Sequence, residues 1–224
     1  MSPLTAAAVA HDIQRDEGPD AERLLAAFRS SPEEGNRILQ ELAAHRDPVV
    51  RAWAPWAARR SLRKAEAIAV ALRLVHDPDS DVRDVALEEL LELDLQAAAR
   101  LTPMFRQKLK SKEFYDPITA MWALAAIRDR GAIGEIRAAA ERWDNALHKN
   151  TAEVVSMLLE GRGDEVVRLI RNHDHRLMPW LTKAARLLRT KEARDALEDC
   201  CRNAPDEECR NYCAEEVAKI TGGM

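Results

Sequence analysis

Hydrophobic residues recur at helical spacing between residues 79 and 93, and this is the clearest pattern in the sequence. Val82, Ala86 and Leu90 lie four positions apart and therefore share one face of an α-helix, while glutamates occupy the opposite face. The preceding residues 77–81 favour a helix start, because proline presets φ for a first turn and aspartate accepts unpaired backbone N–H groups. The pattern predicts one amphipathic helix with its N-terminal cap.

Weaker copies of this helix recur along the chain. The pair Val50-Arg51 repeats Val82-Arg83 at an offset of 32 positions (51 to 83). Arg210 repeats Arg83 at an offset of 127 positions (83 to 210), which is close to four units of 32. Self-similarity at this period is typical of stacked helical hairpins, each of which is too thin to bury its own apolar face.

The same periodicity predicts helices along the rest of the chain and no convincing strand. Pro55 and Pro103 fall inside two of these helices, where proline removes a backbone hydrogen bond, so both helices are expected to kink. Short loops join the helices into about six hairpins. The predicted helices span residues 3–17, 21–29, 32–44, 48–60, 62–75, 79–93, 95–111, 117–129, 133–143, 148–160, 164–172, 178–189, 191–203 and 206–220.

The motif Asp-Pro-Asp-x-x-Val-Arg-x-x-Ala-x-x-x-Leu resembles the second helix of a HEAT repeat, of the short bacterial type also seen in phycobilisome-lyase-like proteins. The match is strong over residues 77–93, good over 47–60 and partial over 206–220. The resemblance implies an all-α fold, a right-handed α-solenoid of about six stacked HEAT-like helical hairpins. It also implies a structural ladder between neighbouring repeats, formed by Asp47, Arg51, Asp79 and Arg83.

The predicted architecture is a single solenoid domain over residues 1–224, with an N-terminal cap at 1–19 and a C-terminal capping hairpin at 191–224. A hydrophobic content of 46% is enough for a sizeable core. No apolar run reaches the roughly 20 residues of a membrane span, and the first residues lack a basic segment before an apolar core. We therefore expect a cytoplasmic protein without a membrane partner, whose oligomeric state the sequence leaves open.

Charge is distributed in blocks, although the net charge of −4 disfavours a dedicated nucleic-acid binder. Trp56 lies within a basic run that can hold a phosphate backbone or an acidic protein surface. The alternative is that this run pairs with the acidic stretch 77–94 of the next hairpin. The first basic run is Arg51, Arg59, Arg60, Arg63 and Lys64, and a second run is Arg100, Arg106, Lys108, Lys110 and Lys112.

Tryptophans form a second group of candidate binding residues. Trp53, Trp122 and Trp180 fall in the second helices of alternate hairpins, which line the concave face in HEAT-type solenoids and can act as a recognition platform. Core packing is the favoured interpretation for Trp53, because it occupies the position equivalent to Val85 in the next copy of the helix, and Val85 is expected to face inward. The candidate partner-binding residues are Arg51, Trp56, Arg59, Arg60, Arg63, Trp122 and Trp180.

The cysteines and one histidine pair are candidate metal ligands. Cys200 and Cys201 point about 100° apart on a helix, which makes it awkward for both to bind one ion. Cys209 and Cys213 fall on core slots, so buried thiols are expected, and a disulfide is disfavoured in a reducing cytoplasm. His173 and His175 lack a third ligand and are expected in a solvated loop. The sequence thus predicts no metal and no cofactor.

One enzymatic resemblance concerns residues 143–147, Trp-Asp-Asn-Ala-Leu. HEAT-like DNA alkylation-repair glycosylases, to which the chain has a distant similarity, carry Trp-Asp-x-x-Asp, whereas Leu147 stands at the catalytic carboxylate position here. Without that carboxylate the positive charge that develops on the sugar is not stabilised. We therefore predict no catalytic residue at this segment.

These observations favour a non-catalytic HEAT-repeat scaffold that binds a partner protein along its concave face. The alternative is a nucleic-acid-binding protein related to the alkylation-repair glycosylases, without glycosylase activity, which rests on the two basic runs. A third and weaker hypothesis, suggested by the repeat type, is a lyase-like chaperone for cofactor attachment.

Overall fold

A computed structural model of the chain describes residues 5–14, 30–61 and 63–221. Within these residues the protein is all-helical, with fourteen α-helices, one 3₁₀ turn and no strand. The all-α prediction is therefore confirmed. None of the described helices is both long enough and apolar enough to cross a membrane.

Contacts between Cα atoms divide the chain into two compact units, residues 1–100 and 101–224. In the first unit α2 packs on α3, α3 on α4 and α4 on α5. The second helices of two successive hairpins, α3 and α5, also contact each other directly. The helices of this unit are α1 (Ala6–Gln14), α2 (Pro32–Ala43), α3 (Pro48–Ser61), α4 (Lys64–Leu74), α5 (Ser80–Leu93) and α6 (Leu95–Ala99).

The second unit repeats this pattern of contacts. Helices α8, α10, α12 and α14 contact one another in that order, and α11 contacts α13. Its helices are α7 (Thr102–Lys108), α8 (Asp116–Ala126), α9 (Ile133–Arg142), α10 (Ala146–Leu159), α11 (Gly163–Arg171), α12 (Met178–Leu188), α13 (Lys191–Asn203) and α14 (Glu207–Thr221), with a 3₁₀ turn at Arg130–Ala132.

The region around Pro103 corrects one sequence prediction. Residues 95–111 were expected to form a single kinked helix, but α6 and α7 are separate. Pro103 lies in the first turn of α7, where its missing N–H would have had no helical partner anyway. By contrast, Pro55 lies inside the continuous α3. The predicted helix at 21–29 and the end of the predicted cap at 1–19 lie outside the described residues.

The repeat motif has the same arginine geometry in three places. The Nη1 atom of Arg51 donates to the carbonyl of His45, six residues earlier, at 2.9 Å. Arg83 donates to the carbonyl of Asp77 at 2.9 Å, again six residues earlier. Arg210 donates in the same way to Ala204. Each arginine therefore ties its helix to the loop that precedes it, at the positions where the sequence copies predicted equivalence.

A bidentate ion pair links α3 to the loop before α5. The Nε and Nη2 atoms of Arg51 donate to the two carboxylate oxygens of Asp77, both at 2.8 Å. The predicted ladder placed Asp47 and Asp79 in this role. Asp79 instead caps its own helix by accepting the N–H groups of residues 81 and 82, and Asp47 accepts the N–H of Val49. The acid that Arg51 reaches thus lies two residues before Asp79.

The C-terminal hairpin contains a disulfide between Cys200 of α13 and Cys213 of α14, with their Cα atoms 6.2 Å apart. The prediction of a buried thiol is therefore wrong for Cys213. A disulfide is disfavoured from the sequence on the assumption of a reducing compartment, whereas the core-facing positions of the two helices meet within bonding distance. Cys201 and Cys209 are free thiols.

Candidate partner-binding site

A cavity of about 440 Å³ opens at the N-terminal ends of α3 and α5 in the first unit. Pro48 begins α3 and places Val49 on its first turn, where this valine is 57% exposed. Most of the lining is apolar, and two aspartates complete it. The lining residues are Pro48, Val49, Ala52, Trp53, Trp56, Asp79, Asp81 and Val85.

Two tryptophans form the aromatic wall of this cavity. The rings of Trp53 and Trp56 meet edge to face, with centroids 5.0 Å apart. The guanidinium of Arg60 lies over the Trp56 ring at 4.2 Å from its centroid. Trp53 was expected in the core because it shares the slot of Val85. Trp53 on α3 and Val85 on α5 do occupy equivalent positions. Both residues are half-buried, however, and both line the cavity.

The aspartates give the cavity an acidic rim. The Oδ1 atom of Asp79 accepts the N–H groups of Asp81 and Val82 and so caps α5. Asp81 is exposed, and its carboxylate has no hydrogen-bond or ion-pair partner among the described residues. A carboxylate without a counter-ion beside an apolar cavity attracts a cationic group.

The first basic run is largely neutralised within its own unit. Arg51 pairs with Asp77, Arg59 pairs with Glu89, and Lys64 lies 3.8 Å from the carboxylate of Asp94. All three acids belong to the stretch 77–94, so the structure favours the second of the two interpretations of this run. Of the candidate arginines, Arg63 is exposed and Arg60 covers Trp56.

The second basic run is also partly paired. Arg106 bonds to Asp129 and to Glu135, and Lys108 lies 2.8 Å from Asp116. These pairs hold basic side chains in fixed positions against carboxylates of the same unit. Fewer cations are therefore available for phosphate contacts than the sequence suggested.

The two remaining candidate tryptophans lie in the second unit and have structural partners. Trp122 is 7% exposed within the buried part of α8, and the Lys183 ammonium lies 5.0 Å from its ring centroid. Trp180 is half-buried and donates its Nε1–H to the hydroxyl of Thr151 on α10 at 2.9 Å. The structure does not place either tryptophan at the cavity of the first unit.

Residues 143–147 lead into α10 and form its first turn. The Asn145 side chain accepts the N–H of Leu147 and caps the helix. Asp144 is exposed and pairs with Lys149. Trp143 stacks on the fully buried His148, with centroids 4.8 Å apart. Trp143, Asp144 and Asn145 therefore each have a structural role at the start of α10.

His148 should make the stability of the protein depend on pH. Burial lowers its pKa below the ordinary histidine value of about 6.5, with a smaller opposing effect from the hydrogen bond to the Phe114 carbonyl. A lowered folded-state pKa means that the unfolded chain binds more protons, so stability is retained above pH 6.5 and falls as pH drops below it. Urea unfolding between pH 5 and 8 measures this. His148→Phe should reduce the slope, because it removes the buried titrating group.

The structure brings together three possible metal ligands that the sequence did not predict as a group. His175 was expected in a solvated loop without further ligands, but Asp206 and Cys209 place their ligand atoms within 4.8 Å of it and of each other. Both residues follow it by more than thirty positions, so no local spacing could have indicated the contact.

No protein-family model matches the chain, and no curated protein matches it.

Proposed function

We propose that the protein is a non-catalytic α-solenoid of HEAT-like hairpins that binds a partner protein. Two features support the repeat architecture. Within each unit the second helices contact one another in chain order, and three copies of the motif share the arginine-to-carbonyl bond. A stack of this kind buries each hairpin against its neighbours and leaves one row of helices for recognition along the concave face.

The observation that carries the binding proposal is the cavity beside Trp53 and Trp56. Tryptophans at an open apolar cavity are typical of recognition hot spots. Val49 adds an exposed apolar surface at the edge of the cavity, and Asp81 adds a carboxylate that has no ion-pair partner in the part of the chain that the structure describes. The occupant that fits this chemistry is a segment of a partner protein that inserts an apolar side chain next to a lysine or arginine.

Labelled short peptides test this occupant directly. We expect peptides with a central leucine or phenylalanine flanked by arginines to bind, as measured by fluorescence anisotropy, and the same peptides flanked by glutamates to bind more weakly. Trp56→Ala should weaken binding at least about tenfold, or roughly 1.4 kcal/mol, because it removes the wall of the cavity. Asp81→Asn should reduce the preference for arginine.

Tyr115→Ala is the matched control, because it removes an aromatic side chain that is 65% exposed and lies in the other unit. Its peptide binding should equal that of the unmodified protein. Equal affinity for both peptide sets, or unchanged binding after Trp56→Ala with an unchanged melting temperature, would contradict the proposed site.

Nucleic-acid binding and a lyase-like chaperone role stay predictions from the sequence. No contact in the described residues favours either of them, and the pairing of both basic runs with carboxylates gives phosphate binding less support than before. We therefore propose protein recognition alone.

A further inference from the structure

Three different metal-ligating groups converge beside the C-terminal hairpin. His175 lies in the turn before α12, Asp206 precedes α14, and Cys209 lies in the first turn of α14. The Sγ atom of Cys209 is 3.5 Å from Nδ1 of His175. The same nitrogen is 3.9 Å from Oδ2 of Asp206. One thiol, one imidazole and one carboxylate thus share one corner of the fold.

These separations suit a tetrahedral zinc ion. Zinc–sulfur and zinc–nitrogen bonds of ordinary length place sulfur and nitrogen about 3.6 Å apart, and nitrogen and oxygen about 3.3 Å apart. The first separation is already met by Cys209 and His175, and the second requires a shift of about half an ångström by exposed side chains. The third separation, between Sγ of Cys209 and the Asp206 carboxylate, is within 4.8 Å, so a shift of at most about 1.2 Å brings it to the roughly 3.6 Å of a tetrahedral site. Calcium and magnesium prefer all-oxygen ligands, so the donor set selects a softer ion.

Asp206 has one oxygen to spare for a metal. Its Oδ1 atom accepts the N–H of Cys209 at 3.0 Å, which caps α14. The Oδ2 atom is the one that faces His175. Capping and coordination therefore use different atoms of the same side chain.

The internal repeat shows which of these residues the fold itself needs. At the same offset of 127 positions, Asp206 corresponds to Asp79, which caps α5 in the same way. His175 corresponds to Pro48 and Cys209 to Val82. The first unit therefore builds this corner with an aspartate alone. The imidazole is an addition that capping does not require. Packing requires a buried side chain at the position of Cys209, as Val82 provides in the first unit, but it does not require a sulfur atom.

The cluster is closed on one side and open on the other. Cys209 forms the closed side and is 2% exposed. The side chains of His175 and Asp206 form the open side and are 57% and 39% exposed. Zinc binds the thiolate form of cysteine, so zinc binding would release the thiol proton of Cys209. The open side leaves room for a fourth ligand, which can be water or a side chain of a bound protein.

We propose that His175, Asp206 and Cys209 form a zinc site with three protein ligands and one open coordination position. This site shares no residue with the proposed partner cavity, and the proposal does not depend on that cavity. It also revises the expectation of a protein without metal, because the third ligand that His175 lacked in the sequence is supplied by the following hairpin.

Titration of the full-length protein with Co²⁺ and Zn²⁺ tests the proposal without any added reductant. We expect one equivalent of Co²⁺ to produce a thiolate-to-cobalt charge-transfer band and d–d bands of tetrahedral intensity, and Zn²⁺ to abolish them. Zinc should also protect Cys209 from alkylation, as read by mass spectrometry. Zinc affinity follows from competition with a chromophoric chelator.

Three variants remove one ligand each. Cys209→Ser should abolish the charge-transfer band, because the band requires the thiolate. His175→Ala and Asp206→Asn should each weaken zinc by more than the about 10–100-fold typical of outer-shell losses. Asp206→Asn is informative because asparagine also caps helices, so the fold is kept while the anionic ligand is lost.

Cys201→Ser provides the matched control, because Cys201 is the other free thiol of the same hairpin. It should leave the band, the stoichiometry and the affinity unchanged. If Cys209→Ser fails to fold, His175→Ala decides, since it truncates an exposed side chain. The proposal is overturned if no one-to-one complex forms, or if His175→Ala and Asp206→Asn bind zinc as the unmodified protein does.

Discussion

Replacement of Asp77 by alanine is expected to lower the free energy of unfolding by about 3–5 kcal/mol. The side chains of Arg51 and Asp77 are only 13% and 5% exposed, so the variant leaves a nearly buried guanidinium without its bidentate partner. It also removes the acceptor of the Asp79 N–H, which the Oδ1 atom of Asp77 binds at 2.9 Å. Urea unfolding followed by circular dichroism at pH 7 measures the loss.

The loss of stability caused by Asp77→Ala should depend on pH in a defined direction. The Arg51 hydrogen bonds hold the pKa of Asp77 below its usual range. A lowered folded-state pKa stabilises the protein above the unfolded value of about 3.9, and this contribution is lost as pH falls below it. The difference between Asp77→Ala and the unmodified protein should therefore shrink in acid. Asp81→Ala is the control and should cost at most about 1 kcal/mol, since its carboxylate is exposed and unpaired within the described chain.

Replacement of Trp122 by alanine is expected to cost about 3–5 kcal/mol of unfolding free energy. The indole is 7% exposed in α8, whose residues 120–125 are all buried, so its loss leaves a cavity that the helix cannot close. It also removes the ring beneath the Lys183 ammonium. Thermal and urea unfolding of the full-length protein measure the change in stability.

Tyr115→Ala serves again as the control and should cost no more than about 1 kcal/mol, because this ring is 65% exposed. Peptide binding at the first-unit cavity should be the same in both variants under conditions where Trp122→Ala remains folded. A Trp122→Ala protein of unchanged stability that loses peptide binding would restore this tryptophan as a binding platform and contradict its structural role.

The sequence determined the helices and the local geometry of the repeat. Residues 48–60 and 191–203 were predicted as helices and observed at Pro48–Ser61 and Lys191–Asn203. The equivalence of Arg51, Arg83 and Arg210 was read from spacing alone, and all three donate to a carbonyl six residues earlier. Such features depend on caps, prolines and apolar periodicity, which act within one or two turns of the chain.

The tertiary structure decided which side chains meet between helices. It paired Arg51 with Asp77 and Arg59 with Glu89, and so converted much of a candidate binding surface into structural contacts. It also moved Trp53 from the expected core to the wall of a cavity.

In the C-terminal hairpin, too, contacts between helices could not be predicted from the sequence. Cys213 is expected from the sequence to be a buried thiol but forms a disulfide with Cys200. The two residues that cluster with His175 lie 31 and 34 positions away (175 to 206 and to 209). Apolar spacing specifies the face that a helix buries, but not the rotation and register with which a second helix crosses that face. Contacts between polar groups depend on both, to within an ångström, and therefore only the packed structure determines them.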